Sequence, residues 1–235
     1  MGGVISMELI YKGKNKNIYR LPTDALQIQF TDAVTGENGI FEPAAKSILK
    51  TVPGAALSST QLSAYFFKKL NAIDVPTHFI SVDADHTSIS VKDTTPFGGH
   101  GIDVICRFRA IGAFEARYNE FVEHGEELDT LVEMVLKDEH EELPPILPDT
   151  LEALGIMTLP EYNFMKNLAR DVSEFIRMDL AKKGLELYDM KLEFGRDSQN
   201  NEILLINEMS ANNMHVYKGE RLINPIELEE IMLKK

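Results

Sequence analysis

Residues 188–210 read YDMKLEFGRDSQNNEILLINEMS. Two apolar, strand-like runs flank a polar turn at residues 197–201, the pattern of a β-hairpin. Period-two alternation in the first run sets Asp189, Lys191 and Glu193 on one face and Met190, Leu192 and Phe194 on the other. Charges on a strand face cost free energy unless they are paired, solvated or bound to something. The second run ends in Asn207-Glu208, and adjacent residues point to opposite sides, so one of the two shares a given face. A carboxylate on one strand and an oxygen ligand on its partner can hold Mg²⁺, which takes hard oxygens and shares its shell with nucleotide phosphates. Lys191 lies close enough in sequence to meet the same phosphates. The pattern also suits a cross-strand charge pair on a solvated sheet face.

Outward from the hairpin, Thr158 and Glu161 bracket Pro160 as a capping box. Met165, Leu168, Val172, Phe175, Ile176 and Leu180 follow at helical spacing, and Lys182-Lys183-Gly184 supplies a basic last turn and a stop. A helix is expected over 159–183. Residues 120–157 are acidic and read as loop, with charges and prolines in KDEHEELPPILPD (137–149) breaking any regular element. IDVICRFRA (102–110) is a well-marked strand after the glycine-rich turn TPFGGHG (95–101). Farther upstream, KNIYRL (16–21), ALQIQF (25–30), VPTHFISVD (75–83) and TSISVKD (87–93) are strand candidates. FTDAVTGENGIF (30–41) reads as a polar loop, SSTQLSAYFFKKLNAI (58–73) as a helix, and NPIELEEIMLKK (224–235) as a closing helix. The class is α+β, with a β-rich N-terminal lobe over 1–98 and a mixed C-terminal lobe over 99–235.

The chain has 235 residues, 44% of them hydrophobic and 26% charged, an ordinary soluble globular balance. A formal net charge of −13 argues against coating nucleic acid, although a few local cations can still build a pocket for a small phosphorylated substrate. The single cysteine, Cys106, forms no intrachain disulfide and fits a reducing, cytoplasmic setting. No signal peptide and no membrane span are legible. Gly2 with Ser6 loosely fits a myristoylation pattern, and the first six residues also read as a plain leader. His78, His86, His100, His124, His140 and His215 show no metal-ligand spacing, and five of the six read as surface or loop residues.

Two further stretches carry candidate chemistry. In YKGKNKNIYR (11–20), Gly13 lets backbone N–H groups approach a phosphate, and Lys14 and Lys16 can neutralise it. A solvated basic turn is the other reading of these residues. In IDVICRFRAIGAF (102–114), Ile105, Arg107 and Arg109 alternate against Val104, Cys106 and Phe108. Two arginine forks at that spacing suit a phosphate or carboxylate, and Gly112 permits close approach before the next helix. An edge strand with its arginines in water fits equally.

Taken together, YKGKNKNIY, KKLNAIDVPTHFI, DVICRFRAIGAF, GLELYDMKLEFGRD and EILLINEMS resemble the SAICAR synthetase (phosphoribosylaminoimidazole-succinocarboxamide synthase) family over roughly residues 8–218. The resemblance implies an ATP-grasp-like, two-lobed fold. It also implies an ATP-dependent ligation through an acyl phosphate, joining L-aspartate to the carboxylate of an aminoimidazole ribotide in purine biosynthesis. ATP and Mg²⁺ would be the cofactors, the small substrates the partners, and a homo-oligomer the possible assembly. Carried over by position, Gly13, Lys14, Lys16 and Lys191 would meet ATP, and Glu193, Asn207 and Glu208 the metal. Arg107, Arg109, Gly112, Ser210, Asn212 and His215 would meet the substrates, with Lys191 and Arg107 in the catalytic roles.

The chain departs from the family pattern at specific places. The family's Asp-Glu is Asn207-Glu208 here, and its Ser-Pro-Asp-x-x-Arg-x-Trp-Asp runs from Ser210 to Lys218 with Asn212 for the first Asp and His215 for Arg. The serine after the glycine at 112 is Ala113, and VPGAALSST (52–60) lacks the family's lysine and asparagines. Most of these changes fall on the substrate side. Two other readings follow: a paralogue joining a different carboxylate and amine, and a nucleotide-binding module without ligase activity.

Overall fold

A computed structural model describes residues 7–37, 39–43, 45, 47–84, 86–138 and 143–234. The leader at 1–6, residue 38 of the expected polar loop, residues 139–142 with His140, and the last residue of the closing helix lie outside the described residues. The chain forms two compact units: Met1–Thr95, Arg196–Asn213 and Asn224–Lys235 make the first, Pro96–Gly195 and Met214–Ile223 the second. With three segments in one and two in the other, the chain crosses between them four times; the sequence suggests a single division near residue 98.

In the first unit, β1 (Glu8–Lys12), β2 (Lys16–Arg20), β3 (Leu26–Phe30), β7 (Phe79–Val82) and β8 (Ser88–Val91) form an antiparallel sheet in the order β1-β2-β3-β8-β7. A smaller sheet joins β4 (Ala33–Glu37), β5 (Ile40–Phe41) and β6 (Ile48–Thr51) in the order β5-β4-β6. The polar loop expected over 30–41 is thus largely strand. Its alternation is too polar to signal a strand, and the ladder with β6 supplies the order. Helix α1 (Ala55–Asn71) buries Leu62, Phe66, Phe67 and Leu70. It begins three residues before the Ser58 suggested by the sequence, because Asp32 Oδ1 accepts from the N–H groups of Gly54 (3.2 Å) and Ala56 (3.0 Å). That cap comes from a residue far upstream, so no local signal marks it.

In the second unit, β10 (Ile102–Arg109) follows β9 (Thr94–Pro96), the segment on which the chain crosses. Helix α2 (Gly112–Tyr118), strand β11 (Glu127–Leu136), helices α3 (Pro148–Ala153) and α4 (Leu159–Ala181), and strand β12 (Glu186–Asp197) come next. Strand β13 (Ile203–Ile206) belongs to the first unit, β14 (Met214–Lys218) and β15 (Arg221–Leu222) to the second, and α5 (Pro225–Leu233) packs on α1 in the first. The sheet order is β11-β10-β12-β14-β15, antiparallel throughout. The expected loop at 120–157 therefore contains a ten-residue strand and a short helix. Acidic Glu133 sits inside that strand because two arginines meet it there.

Helix α4 opens with the expected capping box at Thr158 and Glu161, and buries Met165, Ala169, Val172, Ile176 and Leu180. It packs on β10 and β11. Val104, Cys106, Phe108, Met190 and Leu192 are all buried, and Arg177 of α4 lies over the Phe108 ring at 5.1 Å. Each fully buried aliphatic side chain of this kind contributes about 1.5–3 kcal/mol. With its even-numbered β10 residues turned to this apolar side, the odd-numbered ones present charge on the opposite face. No helix among the described residues is long and apolar enough to cross a membrane.

Candidate active site

The charged face of the second unit's sheet is built in cross-strand rows. Arg107 pairs in register with Asp189, and Asp189 with His215. Arg107 Nη1 donates to Asp189 Oδ2 (2.9 Å) and its Nε to Glu133 Oε2 (2.8 Å), while Arg117 donates to Glu133 Oε1 (2.6 Å). His215 Nδ1 meets Asp189 Oδ1 at 2.6 Å. A carboxylate only accepts, so this nitrogen carries the proton. Arg107 is 4% exposed, which corrects the edge-strand alternative: β10 lies inside the sheet and the arginine is held by two buried carboxylates. Burial pushes the Asp189 carboxyl up, but His215, by charge and hydrogen bond, and then Arg107 and Lys191 outweigh it and hold the group below the ordinary carboxylate range.

The next row pairs Asp103 with Glu193. Lys191 Nζ lies 2.8 Å from Asp103 Oδ2, and Lys137 Nζ 2.5 Å from Glu193 Oε1 and 3.5 Å from Asp103 Oδ1. Burial depresses the Lys137 ammonium, yet Glu193 and Asp103 raise it above its usual value. Asp103 Oδ1 is buried, and its contact is the longer one to the Lys137 ammonium. Two carboxylates set side by side fit Mg²⁺, which uses one or two protein carboxylates and completes its shell with water and phosphate. Among the described residues, no group of three or more His, Cys, Asp or Glu could hold a metal.

Arg109 is engaged elsewhere, with Glu186 at 2.5 Å and the Gly125 carbonyl at 3.0 Å. Gly112 opens α2 at φ +56°, a left-handed conformation that favours glycine. Cys106 is buried, and burial pushes its thiol up to about 11. It is a core side chain.

The first unit carries the other cluster. The Gly13 N–H donates to the Lys16 carbonyl (2.8 Å) and closes a tight turn between β1 and β2. A Cβ at residue 13 would stand 2.8 Å from that carbonyl and 2.9 Å from the Tyr11 ring, so the turn needs glycine. Lys14 is exposed. Lys16 Nζ donates to Asn207 Oδ1 and, at 3.0 Å, to Glu208 Oε1, which also accepts from Asn15 (3.2 Å). Glu208 Oε2 accepts from Ser210 Oγ (2.5 Å) and Asn212 Nδ2 (3.3 Å). Asn212 also reaches Ser59 Oγ, and its Oδ1 is buried without a hydrogen bond. Asn207 sits at φ +75°, and its carbonyl meets His78 Nε2 at 3.1 Å. His78 is therefore buried, where a surface or loop place was expected.

Thus Gly13, Lys14, Lys16, Asn207, Glu208, Ser210 and Asn212 belong to the first unit, and Arg107, Arg109, Gly112, Lys191, Glu193 and His215 to the second. Within the units, Lys16 is joined to Asn207 and Glu208, and Arg107 to His215 through Asp189. Asp103, Glu133 and Asn15 are absent from the residues singled out by sequence, and Lys137 stands out only as part of the family resemblance. Asp103 was within reach, since the alternation through Ile105 and Arg107 extends back to it. Glu133 carries no local signal, because only the pairing of β11 with β10 brings it in.

Fold and site together define an α+β protein whose sheets present lysines, arginines and carboxylates in cross-strand pairs. A family model described as SAICAR synthetase matches residues 9–225, and the chain belongs to that family. It is 42% identical over 228 residues to a phosphoribosylaminoimidazole-succinocarboxamide synthase of Clostridium tetani, covering 97% of this chain and all of that one. A synthase of the same name from Streptococcus pneumoniae is 30% identical over 219 residues, covering 92% of this chain and 87% of its own. Among solved structures, a SAICAR synthetase (Type-2) in complex with ADP superposes with a TM-score of 0.83 at 27% identity, covering 98% of both chains.

Proposed function

We propose that this chain is an ATP-dependent carbon–nitrogen ligase that joins L-aspartate to carboxyaminoimidazole ribotide in purine biosynthesis. The observation that carries the reading is the face of β10, β12 and β14. It sets the Arg107–Asp189–His215 row beside the row of Asp103, Glu193, Lys137 and Lys191, in a chain of this family. The ribotide carboxylate attacks the γ-phosphorus, the bond to the β–γ bridging oxygen breaks, ADP leaves, and the carboxylate becomes an acyl phosphate. The aspartate amine then displaces phosphate and forms the amide.

Lys14 and Lys16 serve the ATP phosphates, and Gly13 lets the backbone of the turn approach them. Asp103 and Glu193 would hold Mg²⁺, which when bound stabilises charge shifting between the β- and γ-phosphates. Arg107 orders the sheet face that receives a substrate anion, and its two carboxylate partners keep the fork from swinging. Such fixation lowers the entropy cost of a two-substrate step. Gly112 opens α2, and Arg109 stays with Glu186 and the Gly125 carbonyl. Asn212 Oδ1 offers a buried acceptor to a substrate donor, with Ser210 holding the segment in place. His215 stays polar and pinned to Asp189, which supports a retained substrate site despite the family's arginine being absent. A cytoplasmic setting fits the reduced, buried thiol.

The test is a mass-resolved turnover assay with Mg-ATP, L-aspartate and the ribotide. The expected result is ADP and a succinocarboxamide product in equal amounts. Nucleotide binding without product would overturn the assigned substrates and call for a panel of other carboxylates and amines.

A further inference from the structure

The family resemblance implies a metal at Asn207 and Glu208, and the donor set there does not fit one. Glu208 has both carboxylate oxygens occupied: Oε1 accepts from Asn15 and Lys16, and Oε2 from Ser210 and Asn212. Asn207 contributes a neutral oxygen, which Lys16 also takes. The pair therefore carries one negative charge, and one ammonium answers it. Glu208, Ser210 and Asn212 are all buried. A divalent ion on these oxygens would stand beside the Lys16 ammonium, a like-charge contact in a poorly screened place. To admit the ion, Lys16 would have to leave and buried donors would lose their acceptor, which is costly. Asp103 and Glu193 differ in offering two carboxylates, where Asn207 and Glu208 offer one.

We infer that the Lys16 ammonium is the resident cation of the Asn207–Glu208 pair, and that these residues position the glycine–lysine turn and do not bind Mg²⁺. Glu208 ties together Asn15 and Lys16 of the turn and Ser210 and Asn212 of the later segment. It is a positioning residue for the phosphate-binding lysine. The inference rests on the Mg-nucleotide reading for its setting, but its deciding readout, Mn²⁺ binding, needs no turnover.

The probe is Mn²⁺. Crystals grown with Mn²⁺ and ADP should show no anomalous peak bonded to Asn207 Oδ1 or to Glu208; a peak there overturns the inference. In solution, Glu208→Gln and Asn207→Ala are compared with the unaltered protein by Mn²⁺ titration followed by electron paramagnetic resonance. Each should shift the Mn²⁺ dissociation constant less than about twofold, whereas a loss of about tenfold or more, the effect of disturbing even a metal's outer shell, contradicts it. Asn207→Ala decides the matter if Glu208→Gln fails to fold. Glu208→Gln should also raise KM for ATP several-fold with a smaller change in kcat, a split that general destabilisation does not produce. If the unaltered protein binds Mn²⁺ but not ADP, the ligase reading fails while the Mn²⁺ comparison still decides this one.

Discussion

At the scale of single residues, Arg107 shows how the sheet tolerates charge. Its guanidinium is nearly inaccessible and meets Glu133 and Asp189 at 2.8 and 2.9 Å. Removing one member of such a buried set leaves the others uncompensated, at about 3–5 kcal/mol. Arg107→Met is therefore expected to destabilise the protein by about that amount in urea unfolding, and to abolish turnover. Arg107→Lys should rescue little, since a single ammonium cannot meet two carboxylates in forked geometry. Asp189 gives the pH dependence its sign. Its carboxyl is held below the ordinary value, so its ionised form stabilises the fold above the unfolded pKa of about 3.9, and that contribution is lost as pH falls through the lower folded value. Because His215 is a main cause of the lowering, His215→Ala should move the acid limb of unfolding to higher pH. Urea midpoints measured between about pH 3 and 6 read this directly; an unmoved limb would show that His215 does not hold Asp189. Alternation alone made the charged face of β12 legible, together with Arg107. It could not show that Glu133, on a strand without any candidate site residue and 26 positions from Arg107, neutralises that arginine.

At the scale of elements, legibility follows how local the determinants are. Helix α4 was readable nearly to its ends because its capping box and its apolar stripe lie within its own residues. Thr158→Ala should cost about 1 kcal/mol in urea unfolding with little effect on activity, since it removes only that cap. Helix α1 was misplaced at its start because its cap, Asp32, arrives from another element. Strands β4 and β11 were hidden for a related reason: polar and acidic residues lower the strand signal, and their partners are distant in sequence. Strand β10 was readable, and its Cys106 points to the α4 side. With the thiol pushed up to about 11 by burial, it should react with a thiol reagent only after unfolding. One equivalent released in denaturant and almost none in native buffer is the expected outcome; fast native reaction would contradict that placement.

For the whole molecule, the chain order hides the assembly of sites. Lys16 is joined to residues 207 and 208 from nearly two hundred positions away, and the second unit's sheet draws strands from both sides of the 196–213 segment. Family membership was legible because five short stretches keep their order and spacing along the chain. The pairing of Lys16 with Asn207 and Glu208 was not, since a turn and a strand end carry no mutual signal. Glu193→Ala should abolish Mg-dependent nucleotide binding while leaving the fold intact; unchanged ADP affinity by calorimetry would argue that the Asp103–Glu193 row does not serve the metal.

The most direct test of the ligation itself follows oxygen. With ¹⁸O in the ribotide carboxylate, an acyl-phosphate route passes one carboxylate oxygen to phosphate when the aspartate amine displaces it. The account predicts one ¹⁸O in the released phosphate for each amide formed. Phosphate released without label, or formed with no amide, would contradict it.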